Sequence, residues 1–221
     1  MDDKICYIVG AGENYGLDFD IKPGDYVIAA DGGFCHLAGQ GITPDLVIGD
    51  FDSAKEKPNH SNIVELKTDK DFTDTFEAVK AGENLGYGTF YIYGGTGGRF
   101  DHTYGNIQAL AYLSRQGKRG FLVDREWVTT TVTNGSIAFD ANCRGYLSVL
   151  AYSDKASGVW LQGLKYTTPP IFEMCNALPV GVSNEFIGKN SSIAVADGTL
   201  VVIFPRSAIS RVDIAFISKN P

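Results

Sequence analysis

The sequence lacks an excess of positive charge. Its 221 residues carry 19 Lys and Arg against 26 Asp and Glu, so the formal net charge is −7. A nucleic-acid-binding domain usually presents a basic face, and this charge balance argues against one. It does not argue against a phosphate ligand, because a bound metal ion can reverse the local field.

A long hydrophobic run and a paired-cysteine motif are also missing. The apolar run near the N-terminus is too short for a signal peptide or a membrane span, so we expect a soluble, cytoplasmic protein. The four cysteines form no C-x-x-C pair, which leaves a zinc site or a redox site without support. Free thiols are the expected state in a reducing compartment.

The first half of the chain alternates short apolar runs with segments of helical periodicity. The predicted strands cover residues 5–9, 26–30, 46–48, 63–66, 90–93 and 120–123. The predicted helices cover residues 34–39, 72–85 and 102–116. Runs rich in Val and Ile with little alternation are typical of strands covered on both faces. The pattern predicts an α/β domain over residues 1–125, with a mainly parallel sheet flanked by helices.

The pattern changes near Arg125. From Trp127 onward, β-branched residues alternate and helical periodicity is almost absent. We therefore predict a second, all-β sandwich domain over residues 126–221. Within it, the segment Ala196-Asp197-Gly198-Thr199 separates two strand-like runs and predicts a tight hairpin turn.

Charged residues follow several of the predicted strands directly. Asp50 and Asp52 come after an apolar run, and in an extended backbone two residues with this spacing point to the same side. Ligands of open α/β sheets bind beyond the carboxyl ends of the strands, so these groups should converge there. Carboxylate oxygens suit Mg²⁺. The other charged residues at these strand ends are Asp31, Lys70, Asp71, Asp74, Arg99 and Asp101.

Several of these residues also have an alternative structural role. Asp31 precedes Gly32, and Asp-Gly is a common turn pair. Asp71 and Asp74 have the spacing of a helix cap and its third residue, so we expect one of them to be a cap. Asp101 could cap the helix that is predicted to begin at His102.

Glycine is concentrated between the fifth predicted strand and the helix that follows it. The run from Gly94 to Gly98 stands where backbone N–H groups can bind phosphate, and Arg99 adjoins it. The run matches neither the P-loop motif nor the dinucleotide fingerprint. The segment Gly10-Ala11-Gly12 lacks the third glycine of that fingerprint and is weak evidence by itself.

With these residues in place, the chain resembles the thiamine pyrophosphokinases. The matching blocks occur in the family's order along nearly the whole chain. They cover residues 31–33, 41–53, 70–74, 94–102, 163–166 and 181–185.

The resemblance implies transfer of a pyrophosphoryl group from ATP to thiamine, giving thiamine diphosphate and AMP, with Mg²⁺. It also implies a homodimer with shared active sites. In that arrangement, the α/β domain of one subunit binds ATP and Mg²⁺, and the β domain of the other binds thiamine and forms the dimer.

The site residues fall into three groups. Asp50, Asp52 and Asp71 are the expected metal ligands. The catalytic set is expected to be Asp52, Asp71, Arg99 and Asp101, with Asp71 ahead of Asp101 as the general base. The expected substrate-binding residues are Asp31, Lys70, Asp74 and Arg99 for ATP, and Tyr166, Ser183 and Asn184 for thiamine. Some members of the family have Trp where this chain has Tyr166.

Two alternatives stay open at this point. One is a pyrophosphokinase that acts on another small acceptor, such as a pterin, and the segments 163–166 and 181–185 would decide between the acceptors. The other is a catalytically silent thiamine or nucleotide sensor. The full set of carboxylates argues against a sensor, since a sensor could lose several of them.

Overall fold

A computed structural model describes residues 4–51, 58–67, 69, 71–169 and 171–216 of the chain. The chain divides into two compact units. The first comprises Met1–Ala109 and Gly120–Arg125, and the second comprises Leu110–Arg119 and Glu126–Pro221. One division point therefore lies at Arg125, where the composition of the sequence changes.

The first unit is built on a parallel sheet. Its strands are β1 (Ile5–Val9), β2 (Tyr26–Ala30), β3 (Leu46–Gly49), β4 (Ile63–Glu65), β5 (Thr89–Tyr93) and β6 (Arg119–Val123). Their order in the sheet is β6-β5-β1-β2-β3-β4, and the pairings from β5 through β4 are all parallel. Ile8, Ile28 and Ile92 are fully buried in its central strands, as expected for a sheet covered on both faces.

Helices connect these strands. They are α1 (Gly33–Ala38), α2 (Asp74–Asn84) and α3 (Phe100–Arg115), and α3 crosses one of the division points between the units. The N-cap of α2 is Thr73, whose hydroxyl accepts a hydrogen bond from the N–H of Phe76 at 3.2 Å. The expectation that Asp71 or Asp74 caps this helix is therefore wrong. A threonine hydroxyl takes the cap position, and Asp74 becomes the first helical residue, where its charge favours the helix dipole.

The second unit consists mainly of antiparallel strands. They are β7 (Trp127–Phe139), β8 (Tyr146–Ala151), β9 (Ala156–Gln162), β10 (Phe172–Met174), β11 (Asn184–Glu185), β12 (Ser191–Pro205) and β13 (Val212–Phe216). The long strand β12 pairs with β7, β8 and β9. The predicted α/β fold class, with a mainly parallel sheet flanked by helices and a β-rich C-terminal part, is confirmed. The sandwich arrangement of the C-terminal part stays a prediction.

Strand β12 is continuous where a hairpin turn was predicted. Its residues before Ala196 and after Gly198 pair with the same strand β7 in the same antiparallel direction, so the chain does not reverse there. Residues 196–198 stand opposite the single residue Asn134, which has φ +46° and accepts the N–H of Gly198 at 2.9 Å. The hairpin prediction is wrong, because the Asp-Gly pair here forms a β-bulge.

Membrane insertion through a helix has no support in the described residues. None of their helices combines the length and the apolar character needed to cross a bilayer.

All four cysteines are free thiols, and burial raises the pKa of the Cys6 thiol to about 12.

The packing of α1 against β1 predicts the effect of two glycine substitutions. A Cβ at Gly33 would overlap the carbonyl oxygens of Val9 and Gly10, whereas a Cβ at Gly105, inside α3, would meet no atom within 4 Å. We expect Gly33→Ala to lower the free energy of unfolding by roughly 2–4 kcal/mol. The matched control Gly105→Ala should raise it by about 0.5–1 kcal/mol through helix propensity. Urea denaturation measures both, and equal effects of the two substitutions would contradict the packing described.

Candidate active site

The strand order reverses direction at β1. The chain passes from β1 to β2, β3 and β4 on one side and then places β5 on the other side of β1. In open α/β sheets, the crevice beyond the carboxyl ends of the strands at such a reversal is the usual ligand site. The segments that occupy this position are residues 10–13 after β1 and residues 94–98 after β5. We call residues 94–98 the glycine loop.

Backbone hydrogen bonds join these two segments. The N–H of Gly12 donates to the Gly94 carbonyl at 2.7 Å, and the N–H of Glu13 donates to the Thr96 carbonyl at 2.9 Å. A Cβ at Gly12 would lie 2.6 Å from both carbonyl oxygens, so only glycine permits this approach. A ring nitrogen of His36 lies 2.9 Å from the Gly12 carbonyl oxygen and fixes the segment from the other side.

The segment Gly10-Ala11-Gly12 contributes more to the site than its sequence alone indicated. The only signal was two glycines directly after the first strand. The value of that signal depended on β5 lying next to β1, which the sequence pattern does not reveal.

A cavity of about 250 Å³ opens above the glycine loop. Three of the predicted site residues, Asp31, Asp74 and Arg99, line it. Drug-sized ligands usually occupy roughly 300–1,000 Å³, so this cavity suits part of a nucleotide, such as its phosphates. The buried hydroxyl of Thr96, also in the lining, has no hydrogen-bond partner among the described residues.

Asp31 and Asp50 come to the same edge of the sheet. They directly follow the neighbouring strands β2 and β3, and the N–H of Asp31 donates to the Ile48 carbonyl at 2.8 Å. The backbone is not extended beyond β3, however, because the buried Phe51 has φ +54°. The premise that Asp50 and Asp52 flank an extended residue is therefore wrong. Asp52 and Lys70 lie outside the described residues.

The remaining predicted acidic residues are more exposed. Asp71 and Asp101 are exposed, and neither they nor Asp50 line the cavity.

Within the described part of the chain, no three His, Cys, Asp or Glu side chains are grouped closely enough to hold a metal ion. Carboxylate oxygens remain the right donor type for Mg²⁺, which commonly uses one or two carboxylates together with substrate phosphates.

Arg99 and Asp101 form a two-point ion pair. The Arg99 Nη2 lies 2.6 Å from Asp101 Oδ2, and its Nε lies 3.2 Å from Oδ1. Hydrogen bonding from Arg99 holds the pKa of the Asp101 carboxyl below its usual value. Asp101 Oδ1 also accepts the N–H of His102 at 3.0 Å, and because α3 begins at Phe100, Asp101 lies within its first turn.

The three residues predicted to bind thiamine lie in the second unit. Asn184 is 3% exposed, and its side-chain amide is bonded to the backbone: Oδ1 accepts the N–H of Tyr166 at 3.0 Å, and Nδ2 donates to the Tyr166 carbonyl at 2.8 Å. Oδ1 also accepts the N–H of Glu185 at 2.8 Å. Asn184 therefore fixes the backbone of Tyr166, whose side chain is 61% exposed.

A small, mainly apolar cavity adjoins this anchor. Its volume is about 170 Å³, and Tyr166, Asn184, Phe172 and Met174 are among the residues that line it. Ser183 is exposed, has φ +58°, and donates its N–H to Ser148 Oγ at 3.1 Å. The left-handed backbone at a serine is a strained conformation of the kind that clusters at functional sites.

The ion pair of Arg99 predicts a pKa change that can be measured. Because Arg99 lowers the pKa of the Asp101 carboxyl, Arg99→Ala should raise that pKa toward the ordinary value for aspartate. Carboxyl ¹³C NMR titration measures the change. The Asp140 carboxyl, whose pKa is lowered first by the N–H of Asn142, should titrate as before and serves as the control. An unchanged Asp101 pKa would show that the pair does not form in solution.

In comparison with known proteins, the chain is similar to thiamine pyrophosphokinases. A model of the thiamin pyrophosphokinase catalytic domain matches residues 21–122. A thiamine pyrophosphokinase of Bacillus subtilis is 29% identical over 188 residues, which cover 80% of this chain and 85% of that protein.

Solved structures agree with this match. The crystal structure of Bacillus subtilis thiamine pyrophosphokinase has a TM-score of 0.81 at 25% identity, covering 91% of this chain and 99% of that chain. The Candida albicans thiamin pyrophosphokinase, at 17% identity, shares the fold with a TM-score of 0.73, covering 92% of this chain and 89% of that chain. The resemblance found in the sequence is confirmed: the chain is similar to thiamine pyrophosphokinases in sequence and in fold.

Proposed function

We infer that this protein transfers pyrophosphate from ATP to thiamine, giving thiamine diphosphate and AMP. The observation that carries the inference is the match of the thiamin pyrophosphokinase catalytic-domain model to residues 21–122. This segment supplies all the residues that line the cavity above the glycine loop except Ala11 and Gly12. The same segment provides a glycine loop, two carboxylates and an arginine at the ligand-binding edge of the sheet.

In this proposal, the triphosphate lies on the glycine loop at the N-terminal end of α3. That helix end favours negative charge, and Arg99 beside it can offset the charge on the nonbridging oxygens. The thiamine hydroxyl oxygen bonds to the β-phosphorus, the bond from that phosphorus to the α,β-bridging oxygen breaks, and AMP leaves with that oxygen. The hydroxyl proton passes to a carboxylate.

Asp71 is our preferred acceptor for that proton. The alternative, Asp101, is paired with Arg99, and the lowered pKa of its carboxyl makes it a weaker base. Lys70, outside the described residues, is proposed to bind phosphate together with Asp31, Asp74 and Arg99, where the carboxylates act through a bound cation.

Mg²⁺ is the proposed metal. When bound, it would neutralise phosphate charge during transfer. Asp50 and Asp52 are its proposed ligands, and Asp71 is proposed as a further ligand if it does not act as the base. Asp31 and Asp74 add negative potential to the cavity and so favour both the cation and the positively charged thiamine.

Thiamine is proposed to bind at the second unit, against the ring of Tyr166. Asn184 would act there through its hydrogen bonds to the Tyr166 backbone, and Ser183 through its exposed position.

We further propose a homodimer in which the surface around Tyr166 meets the ATP-binding unit of the other subunit. Exposed apolar side chains around the anchor support an interface: Tyr166, Val180, Val182 and Ile187 are 45–61% exposed. We place the protein in the cytoplasm, consistent with its four free thiols.

An assay of products tests the function directly. Incubation with ATP, Mg²⁺ and thiamine should yield AMP and thiamine diphosphate in equal amounts, and chelation of the metal should abolish both. ADP as the nucleotide product would indicate a simple kinase. Turnover with a pterin but not with thiamine would identify the other acceptor, and thiamine binding without turnover would identify a sensor.

Subunit complementation tests the shared site. Asp52→Asn should reduce kcat by at least about a hundredfold through loss of a metal ligand. Asn184→Ala should raise the KM for thiamine about tenfold through a loosened Tyr166, and should leave the KM for ATP unchanged. At a thiamine concentration well below the raised KM, a mixture of the two variants should be more active than the sum of the two variants assayed separately. A chain carrying both substitutions is the matched control, because mixing it with either single variant cannot provide a site whose two halves are both intact.

A further inference from the structure

Asn106 is a buried polar residue in the middle of a helix. It belongs to α3, is 4% exposed, and lines the cavity above the glycine loop. Asparagine is a poor helix former, and burial of its amide costs free energy unless the amide is hydrogen-bonded. Neither helix propensity nor core packing accounts for asparagine at this position.

The amide of Asn106 reaches back to the glycine loop. Its Nδ2 donates to the carbonyl oxygen of Gly95 at 2.8 Å, and both groups are buried. Gly95 is itself tightly enclosed, because a Cβ there would lie 2.6 Å from Leu122 Cδ1 and 2.9 Å from Asn106 Nδ2. A side chain at position 95 would therefore displace Leu122 or Asn106, so the contact between the loop and the helix requires glycine there.

This bond completes a set of three. The carbonyls of Gly94 and Thr96 accept the N–H groups of Gly12 and Glu13, and the Gly95 carbonyl between them accepts Asn106. Three successive carbonyls are thus fixed by donors from two different elements. The described peptide bonds are all trans, and a planar trans peptide carries its N–H opposite its carbonyl, so the N–H groups of residues 95–97 are fixed as well.

Only the middle bond depends on a side chain. Glycine permits both signs of φ, and the loop uses this freedom at Gly94 and Gly97, which have φ of +60° and +82°. Without Asn106, the peptide unit between Gly95 and Thr96 would have no such anchor and could rotate between these glycines.

We propose that Asn106 is a positioning residue for ATP: its amide holds the peptide unit between Gly95 and Thr96 in the orientation that binds the triphosphate. This inference rests on the proposed function for its substrate and adds the group that sets the shape of the phosphate-binding loop. Asn106 takes no part in bond making and acts through the loop alone.

Two substitutions test the proposal. Asn106→Ala removes the donor, and Asn106→Asp keeps the size and shape of the side chain but turns an acceptor toward the Gly95 carbonyl. Each should weaken the binding of ATP with Mg²⁺ about tenfold, the scale of one lost hydrogen bond at a buried group. The KM for ATP should rise to the same extent, while the KM for thiamine should stay as in the wild type.

Ser114→Ala is the matched control. Ser114 lies on the same helix, is 2% exposed, and donates to Thr133 Oγ1 at 2.9 Å. Its loss removes a hydrogen bond of a similarly buried residue without involving the glycine loop. This variant should lower the melting temperature and leave the affinity for ATP unchanged. Asn106 variants that bind ATP as tightly as the wild type, or a Ser114 variant that weakens ATP binding equally, would overturn the proposal.

Calorimetric titration with ATP and Mg²⁺ separates this inference from the proposed function. If the wild type binds ATP but makes no AMP from thiamine, the proposed function fails, and the Asn106 variants still decide the role of the amide. If the wild type is active and the Asn106 variants match it in both ATP affinity and KM, only the inference fails. Either Asn106 variant suffices if the other does not fold.

Discussion

The close approach of two backbone segments, residues 10–13 and the glycine loop, is the constraint on which the rest of the site depends. It extends the pairing of β1 with β5 past the ends of both strands. The extension requires glycine at position 12, where any side chain would displace the opposite carbonyls. The cavity, the N-terminal end of α3 and Arg99 all follow from the path that this contact imposes on the chain.

Strained backbone is concentrated in the segments that carry the family's motifs. Among the described residues, four other than glycine have positive φ, and three of them, Asp31, Phe51 and Ser183, lie in motif blocks. Each such residue costs free energy that the surrounding structure must supply. Asp31 is held by its bond to the Ile48 carbonyl, and Phe51 by burial of its side chain. The fourth, Asn134, faces the bulge in β12 and accepts the Gly198 N–H.

Local patterns in the sequence predicted much of this structure. Strand β1 was placed at its observed bounds, because a run of buried residues in a parallel sheet has no competing helical period. The convergence of Asp31, Asp74 and Arg99 followed from the rule that parallel strands present their carboxyl ends at one edge. The resemblance to the thiamine pyrophosphokinases then indicated the reaction, which is pyrophosphoryl transfer from ATP to thiamine.

The predictions that were wrong depended on three-dimensional geometry, which a local sequence pattern does not contain. The Asp-Gly pair at 197–198 fits a hairpin turn or a bulge equally well. The bulge is decided by the pairing of β7 with β12 both before and after this pair. The extended backbone assumed across Phe51 was overridden by burial of that side chain. Asn106 gave no signal at all, because its role exists only once the loop has folded back over α3.

The side chain of Asn184 forms hydrogen bonds with the backbone of Tyr166 and none with its ring. All three of its hydrogen bonds end on backbone atoms, so the identity of the aromatic group does not enter the attachment. A tryptophan at position 166 would be held by the same amide, because the hydrogen bonds of Asn184 do not involve the side chain there. The aromatic side chain at position 166 can therefore be exchanged for another, with a different surface for stacking, while Asn184 continues to hold the backbone beneath it.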